Sequence, residues 1–135
     1  MPILAYLVAL IVFVAMDAIW LGLMGSTYRL EMGTLLAPEV RWGPAAAFYL
    51  LQLLGIMIFV IWPGRQRSAL WVVPHGALFG LFTYGTYDLT NYAVLQHWSL
   101  ELTVTDMVWG MVVSATAGTI GWLVLRGRGG ARRRR

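Results

Sequence analysis

The chain has 135 residues, of which 59% are apolar and 12% are charged. A soluble domain of this size carries roughly a quarter charged residues, so the composition argues against a soluble protein. The sequence contains no cysteine, which excludes disulfides and thiol chemistry. Its net charge of +4 comes from arginine alone, because there is no lysine.

Four apolar stretches account for most of the chain and predict an all-α protein. They cover residues 3–24, 43–62, 70–95 and 102–125. Each is close to the roughly 20 residues that a membrane-spanning helix needs, and none alternates as transmembrane strands do. We predict an integral membrane four-helix bundle, residues 1–125, followed by a flexible Arg-rich cytoplasmic tail, residues 126–135. The first stretch lacks a preceding basic region, so we expect a retained span and not a signal peptide.

The arginines predict the orientation of this bundle. The connection between the second and third stretches holds Arg65 and Arg67, and the C-terminal tail holds six more arginines. The first connection balances two arginines against two glutamates, and the third has Glu101 and no basic residue. The positive-inside rule therefore places both termini in the cytoplasm. We interpret the tail as a topology anchor, with attraction to anionic lipid as the alternative, and we expect no nucleic-acid partner.

Three aspartates, Asp17, Asp88 and Asp106, lie in or beside the apolar stretches. A carboxylate in hydrocarbon is costly, so it usually faces the interior of a bundle and serves a site. At a helix rise of about 1.5 Å per residue, all three fall in the outer half of the membrane. We therefore predict a polar pocket that opens outward, with these acids as candidate catalytic or binding residues.

Residues of other types share the predicted faces with the acids. Asp88 follows a row of glycine and tyrosine, and Asp106 begins a row of glycine and serine, so both rows are expected to lie at close helix contacts. No basic residue lies deep enough to pair with the acids, so at least one should hold a proton or a cation. We expect Asp17 and Asp88 to lie within reach of a shared proton, water or cation. The candidate ligand-contacting residues are Tyr84, Tyr87, Asn91, Trp20 and Tyr28.

Several simpler interpretations stay open at this point. Thr103 precedes Asp106 by three residues, so Asp106 could cap the fourth helix. Asp88 could lie among lipid headgroups if the third helix ends early. The pattern Asp-x-x-Trp occurs at Asp17 and again at Asp106, and we interpret this echo as coincidence. The two histidines lie at opposite ends and form no metal motif, so the sequence indicates no metal and leaves the cofactor unknown.

Several segments of the chain also carry a family resemblance. The residues are Asp17-Ala-Ile-Trp-Leu-Gly22, Tyr28, Gly80-Leu-Phe-Thr-Tyr-Gly-Thr-Tyr-Asp-Leu-Thr-Asn91, Trp98 and Asp106-Met-Val-Trp-Gly110. Together they resemble the bacterial predicted-membrane-protein family called domain of unknown function 2177. The resemblance spans nearly the whole chain, apart from the arginine tail. It implies a four-span protein of the bacterial inner membrane and, loosely, a link to membrane-lipid modification. It brings no established activity, so whether the protein is an enzyme stays open.

Three functions fit this sequence. The first is a module in the bilayer that binds or modifies a lipid or another amphiphile, with Asp17 or Asp88 as general acid or base. The second is a small homodimeric transporter coupled to protons or cations, although its acids would lie away from the midplane. The third is a non-catalytic subunit that packs against a larger membrane protein through its glycine rows.

Overall fold

The computed structural model describes residues 1–132 and contains four long helices in that range. They are α1 (Pro2–Met32), α2 (Trp42–Ile56), α3 (Ala69–Val94) and α4 (Leu100–Arg132). Helix α2 continues through a π-helical turn, Met57–Ile61, and ends with the turn Trp62–Gly64. The described residues form no strand, which confirms the predicted all-α membrane bundle.

Three segments are long and apolar enough to cross a membrane: Pro2–Leu35, Trp42–Gly64 and Leu100–Gly127. Helix α3 has 26 residues and rises about 39 Å, so its length also suffices to cross the hydrocarbon core. Its C-terminal half is rich in Thr, Tyr and Asp, which lowers its hydropathy below that of the other three. Helix α3 packs along α4 more extensively than any other two helices pack.

Helix α1 is longer than the sequence predicted. It runs without interruption to Met32, where Gly33 adopts a positive φ of 52° and ends it. We expected the first connection to begin near residue 25, and this expectation is wrong. The polar residues Tyr28 and Glu31 are therefore fixed on the same rigid helix as Asp17.

The start of α4 shows which residue caps this helix and whether Asp106 could do so. The Ser99 Oγ accepts a hydrogen bond from the Leu102 amide at 3.0 Å, so Ser99 caps this helix. Glu31 in turn accepts hydrogen bonds from the Ser99 amide at 2.8 Å and from its hydroxyl at 2.6 Å. Asp106 lies in the second turn of α4, beyond the reach of a cap. The interpretation of Asp106 as a capping residue is therefore wrong.

The opposite end of the bundle carries the arginines. Trp122 on α4 donates a hydrogen bond to the Gly64 carbonyl at 2.7 Å, and Arg126 donates one to the Arg67 carbonyl at 3.1 Å. Ala5, near the start of α1, contacts Gly121 on α4. The N-terminus, the second connection and the last turns of α4 thus lie at one end, which we call the arginine end. Helix α4 includes the backbone of the predicted tail as far as Arg132, and residues 133–135 lie outside the described part.

Glycines bring α3 and α4 into close contact. A methyl group on Gly80 would collide with the Gly110 carbonyl, and one on Gly110 would collide with the Tyr84 ring. A methyl group on Gly118 would lie 3.4 Å from Ile56 and Val60 of α2. The prediction of close helix contacts therefore holds for Gly80 and Gly110, whereas Gly118 lies at a helix contact of ordinary van der Waals distance.

Candidate functional site: a buried acid–aromatic cluster

Asp17 is buried, with 7% of its surface exposed, and its carboxylate accepts three side-chain hydrogen bonds. Tyr49 on α2 donates to Oδ2 at 2.6 Å. Trp109 on α4 and Tyr84 on α3 donate to Oδ1 at 3.1 and 3.4 Å. Each of the other three helices therefore supplies one donor, and all three donors are neutral. Hydrogen bonds to a charged group contribute about 1.5–3 kcal/mol each, so Asp17 ties the four helices together.

Asp106 is also buried and has donors of the same kinds. Its Oδ1 accepts a hydrogen bond from the Tyr28 hydroxyl and another from the Trp20 indole at 3.2 Å, both on α1. The Trp20 indole lies 3.1 Å from the Tyr28 hydroxyl as well, so the three side chains form a closed triangle. Only 4% of the surface of Asp106 is exposed.

The two Asp-x-x-Trp patterns form one reciprocal unit. Trp20, three residues after Asp17, donates to Asp106, whereas Trp109, three residues after Asp106, donates to Asp17. The two indole rings stack with centroids 4.7 Å apart and planes 3° from parallel. Since α1 and α4 run antiparallel, this exchange gives the pair a local two-fold arrangement. The echo that we interpreted as coincidence is thus a structural pairing.

Asp88 differs from the other two acids. It is fully buried, with no exposed surface, and neither carboxyl oxygen has a hydrogen-bond partner among the described residues. The carboxyl of Asp106 lies opposite it, because Tyr84 of α3 packs on Gly110 of the antiparallel α4 and Asp88 and Asp106 each lie one turn further along. The register of α3 and α4 explains this approach, because Gly80 lies against Gly110 and Gly85 against Met107. We expected Asp88 to pair with Asp17, but the structure pairs it with Asp106.

Aromatic side chains cover the acids on the side away from the arginine end. Trp98, in the connection before α4, is buried and donates a hydrogen bond to Thr103 at 3.1 Å. Its ring meets the edge of Tyr87 at 5.7 Å and lies 6.2 Å from the Tyr28 ring. Asn91 lies beside the hydroxyl of Tyr87. Tyr87 and Asn91 thus lie at the edge of this aromatic cover, and Trp98 completes the cover over the acids.

A second polar layer lies one to two turns nearer the arginine end. The buried Gln52 amide on α2 donates to the Thr83 hydroxyl at 3.0 Å and lies 3.5 Å from the Ser114 hydroxyl. Thr83 donates in turn to the Phe79 carbonyl of its own helix at 3.1 Å. These groups satisfy one another, so this layer stabilises the bundle and offers no free group to a ligand.

The structure therefore brings together the predicted acids and three of the predicted contact residues. We call this group the acid–aromatic cluster; it comprises Asp17, Trp20, Tyr28, Tyr49, Tyr84, Asp88, Asp106 and Trp109. Sequence reasoning omitted Tyr49, Trp109 and Trp98 from the site. The repeated Asp-x-x-Trp pattern was the signal for Trp109, and the polar stripe on α2 was the signal for Tyr49.

The acids are closed off from the surface, whereas we predicted a pocket that opens outward. A shallow groove of about 550 Å³ lies instead on the outer face of α1, lined by residues such as Gly22, Gly25 and Arg29. No group of three or more His, Cys, Asp or Glu side chains within residues 1–132 is arranged to hold a metal ion. The cluster is thus a closed network of carboxyl, phenol and indole groups.

Comparison with protein families gives one match. The family model described as predicted membrane protein (DUF2177) matches residues 2–123. The chain belongs to this family. Comparisons with curated proteins and with solved structures gave no match.

The matched range contains all of the acid–aromatic cluster and ends before the arginine tail. Membership in the DUF2177 family agrees with the membrane bundle that the helices form. The family description assigns a membrane setting and no reaction.

Proposed function

We propose that this protein binds, and acts on, a lipid or another amphiphile through the acid–aromatic cluster. The observation that supports this most is the state of Asp88. A fully buried carboxyl without a hydrogen-bond donor costs about 1–3 kcal/mol of stability, and Asp88 makes no hydrogen bond to another described side chain that would offset this cost. Ionisable side chains inside membrane helices are costly, and where they occur they usually mark a functional site.

The surroundings of Asp88 indicate the kind of polar group that would suit it. Its free oxygens need a donor, and no described lysine or arginine hydrogen-bonds to them. Tyr28, Tyr87 and Trp98 lie between Asp106 and the bundle end, so a headgroup would reach Asp88 by displacing this aromatic cover and would pack against its rings. An amphiphile with a hydroxyl or amino headgroup would supply the donor and leave its apolar part in the bilayer.

The three acids would then have different roles. Asp88 would contact the headgroup and act as its hydrogen-bond acceptor or as a general acid or base. Asp106, oriented by Tyr28 and Trp20, would hold the second carboxyl in position beside it. Asp17 already accepts three hydrogen bonds, so its role would be to fix the four helices around the site.

Lipid profiling of a deletion strain tests this function. The strain would be complemented with wild type, with Asp88→Asn or with Glu101→Gln, at equal protein levels. Glu101 is an exposed acid at the start of α4, so its variant serves as the matched control. We expect wild type and Glu101→Gln to restore the lipid profile and Asp88→Asn to leave the deletion profile. Full restoration by Asp88→Asn would contradict the proposal.

One observation favours a second candidate, a proton- or cation-coupled transporter. Asp88 and Asp106 face each other without a basic partner, as expected of an acid pair that takes up a cation. Ion or drug sensitivity of the same deletion strain, without a lipid change, would favour this candidate. A deletion phenotype that every Asp variant rescues would instead favour a non-catalytic partner subunit.

The proposed setting is the bacterial inner membrane with α3 as a fourth crossing and both termini in the cytoplasm. Arg65, Arg67 and Arg126 lie together at one end of the bundle, which supports this orientation. The acid–aromatic cluster lies toward the other end and would then occupy the outer half of the bilayer. The amphiphile would accordingly be reached from the outer leaflet.

A further inference from the structure

The strongest unexplained feature is the contact between two buried carboxyl groups. Asp88 is fully buried and Asp106 is 4% exposed, so water would screen the repulsion between two charges here only weakly. A carboxylate has no hydrogen to donate, so two ionised carboxylates cannot form a hydrogen bond. The facing oxygens of Asp88 and Asp106 therefore require something positive between them.

The neighbouring helices do not supply a positive charge. Toward this pair, α1 presents Tyr28 and Trp20, and both donate to Asp106. Helix α3 itself presents Tyr84 and Tyr87 near the acids, and α2 presents Tyr49 to the separate acid Asp17. Among the described residues Asp88 has no hydrogen-bond partner, and the donors to Asp106 are Trp20 and Tyr28, so no arginine or histidine bonds to either acid.

We propose that Asp88 and Asp106 hold one proton between them and form a proton-binding site in the resting protein. The proton makes Asp88 a donor to Asp106, so the buried carboxyl gains the hydrogen bond that it otherwise lacks. The Tyr28 and Trp20 donors favour the negative charge on Asp106, and the proton accordingly resides on Asp88. The pair carries a single negative charge, and loss of the proton leaves two facing anions.

A metal ion is the main competitor for this position. Among the described residues no three His, Cys, Asp or Glu side chains are grouped to hold a metal ion, and a divalent ion held by two carboxyls would have to bring several waters into a site where Asp88 is fully buried. A proton needs only the two facing oxygens. The proton site uses the cluster of the proposed function, but its existence requires no amphiphile.

Infrared spectroscopy of purified wild-type protein without added ligand tests this site. Aspartate labelled with ¹³C at the side-chain carboxyl should shift a carbonyl band of a protonated carboxylic acid at neutral pH. We expect Asp88→Asn to abolish this band, because Asp106 is then ionised and held by Tyr28 and Trp20. Asp106→Asn should keep a shifted band, and the exposed-acid control Glu101→Gln should keep it unchanged.

Three results would overturn the proton site. The first is the absence of any label-sensitive acid band in wild-type protein at neutral pH, which needs no variant to fold. The second is a full band in folded Asp88→Asn. The third is loss of the band when sodium or potassium chloride is added, which would show that a cation occupies the pair. Because no ligand is present, failure of the amphiphile proposal would leave these spectra unaffected.

Discussion

The contact between α3 and α4 at Gly80 is expected to be the least tolerant packing site in the bundle. A methyl group there would overlap the Gly110 carbonyl oxygen and lie 2.6 Å from the Gly110 carbonyl carbon and 2.8 Å from the Ser114 hydroxyl. Favourable contacts between carbon atoms lie at about 3.5–4 Å, so the helices must move apart locally by roughly an ångström. The obstacle is backbone, which cannot rotate away as a side chain can.

Overpacking of this kind costs about 1–3 kcal/mol. Alanine gains up to about 1 kcal/mol over glycine in helix propensity, which offsets part of the loss. Because the obstacle is backbone, we take the upper end of this cost and expect Gly80→Ala to lower the free energy of unfolding by about 2 kcal/mol once the gain in helix propensity is subtracted. Gly22→Ala on α1 is the matched control, because a methyl group there meets nothing within 4 Å.

Thermal unfolding of both variants in detergent micelles, followed by circular dichroism, measures this difference. Gly80→Ala should melt below wild type, and Gly22→Ala should melt at or above it. Equal melting temperatures for the two variants would show that the α3–α4 distance is not set by this glycine. The reasoning that places Asp88 against Asp106 through the same contact would then fail as well.

Two further predictions follow from the stacked indoles and from the arginines. Trp20→Phe and Trp109→Phe each remove one donor to an acid, so each should destabilise the bundle by about 1–3 kcal/mol, and the exposed Trp42→Phe should have little effect. A double-mutant cycle on the stacked pair should show coupling of about 0.5–1.5 kcal/mol, and strict additivity would refute the reciprocal unit. A reporter active only in the periplasm should be silent when fused after Arg67 and active when fused at Ser99; the reverse pattern would refute the orientation.

Much of the architecture follows from local sequence signals. The apolar stretches predicted four helices, and Gly80 and Gly110 indicated which faces pack closely. The extent of α1 was not predictable, because Tyr28 and Glu31 read as loop residues. They continue the helix because Glu31 meets the Ser99 hydroxyl and amide at the start of α4. Such long-range hydrogen bonds leave no trace in hydrophobic periodicity.

The sequence predicted which acids belong to the site, but it did not predict which acids face each other. Asp17, Asp88 and Asp106 stand out because a buried acid is rare, whichever neighbours it has. Which acid faces which depends on the register between α1, α3 and α4, and a shift of one helical residue would rotate a side chain by about 100°. The reciprocal exchange between Trp20 and Trp109 likewise appears only once two antiparallel helices are placed side by side.

Matched truncations of two acids test the central claim that Asp17 holds the four helices together and that Asp88 contributes much less to the stability of the fold. Thermal unfolding in detergent would be compared for Asp17→Ala and Asp88→Ala. Asp17→Ala leaves the Tyr49, Tyr84 and Trp109 donors without their acceptor, and each buried unsatisfied donor costs about 1–3 kcal/mol. We predict a large fall in melting temperature for Asp17→Ala and a clearly smaller fall for Asp88→Ala, which removes only the single hydrogen bond to Asp106. Equal falls, or a larger fall for Asp88→Ala, would contradict the account.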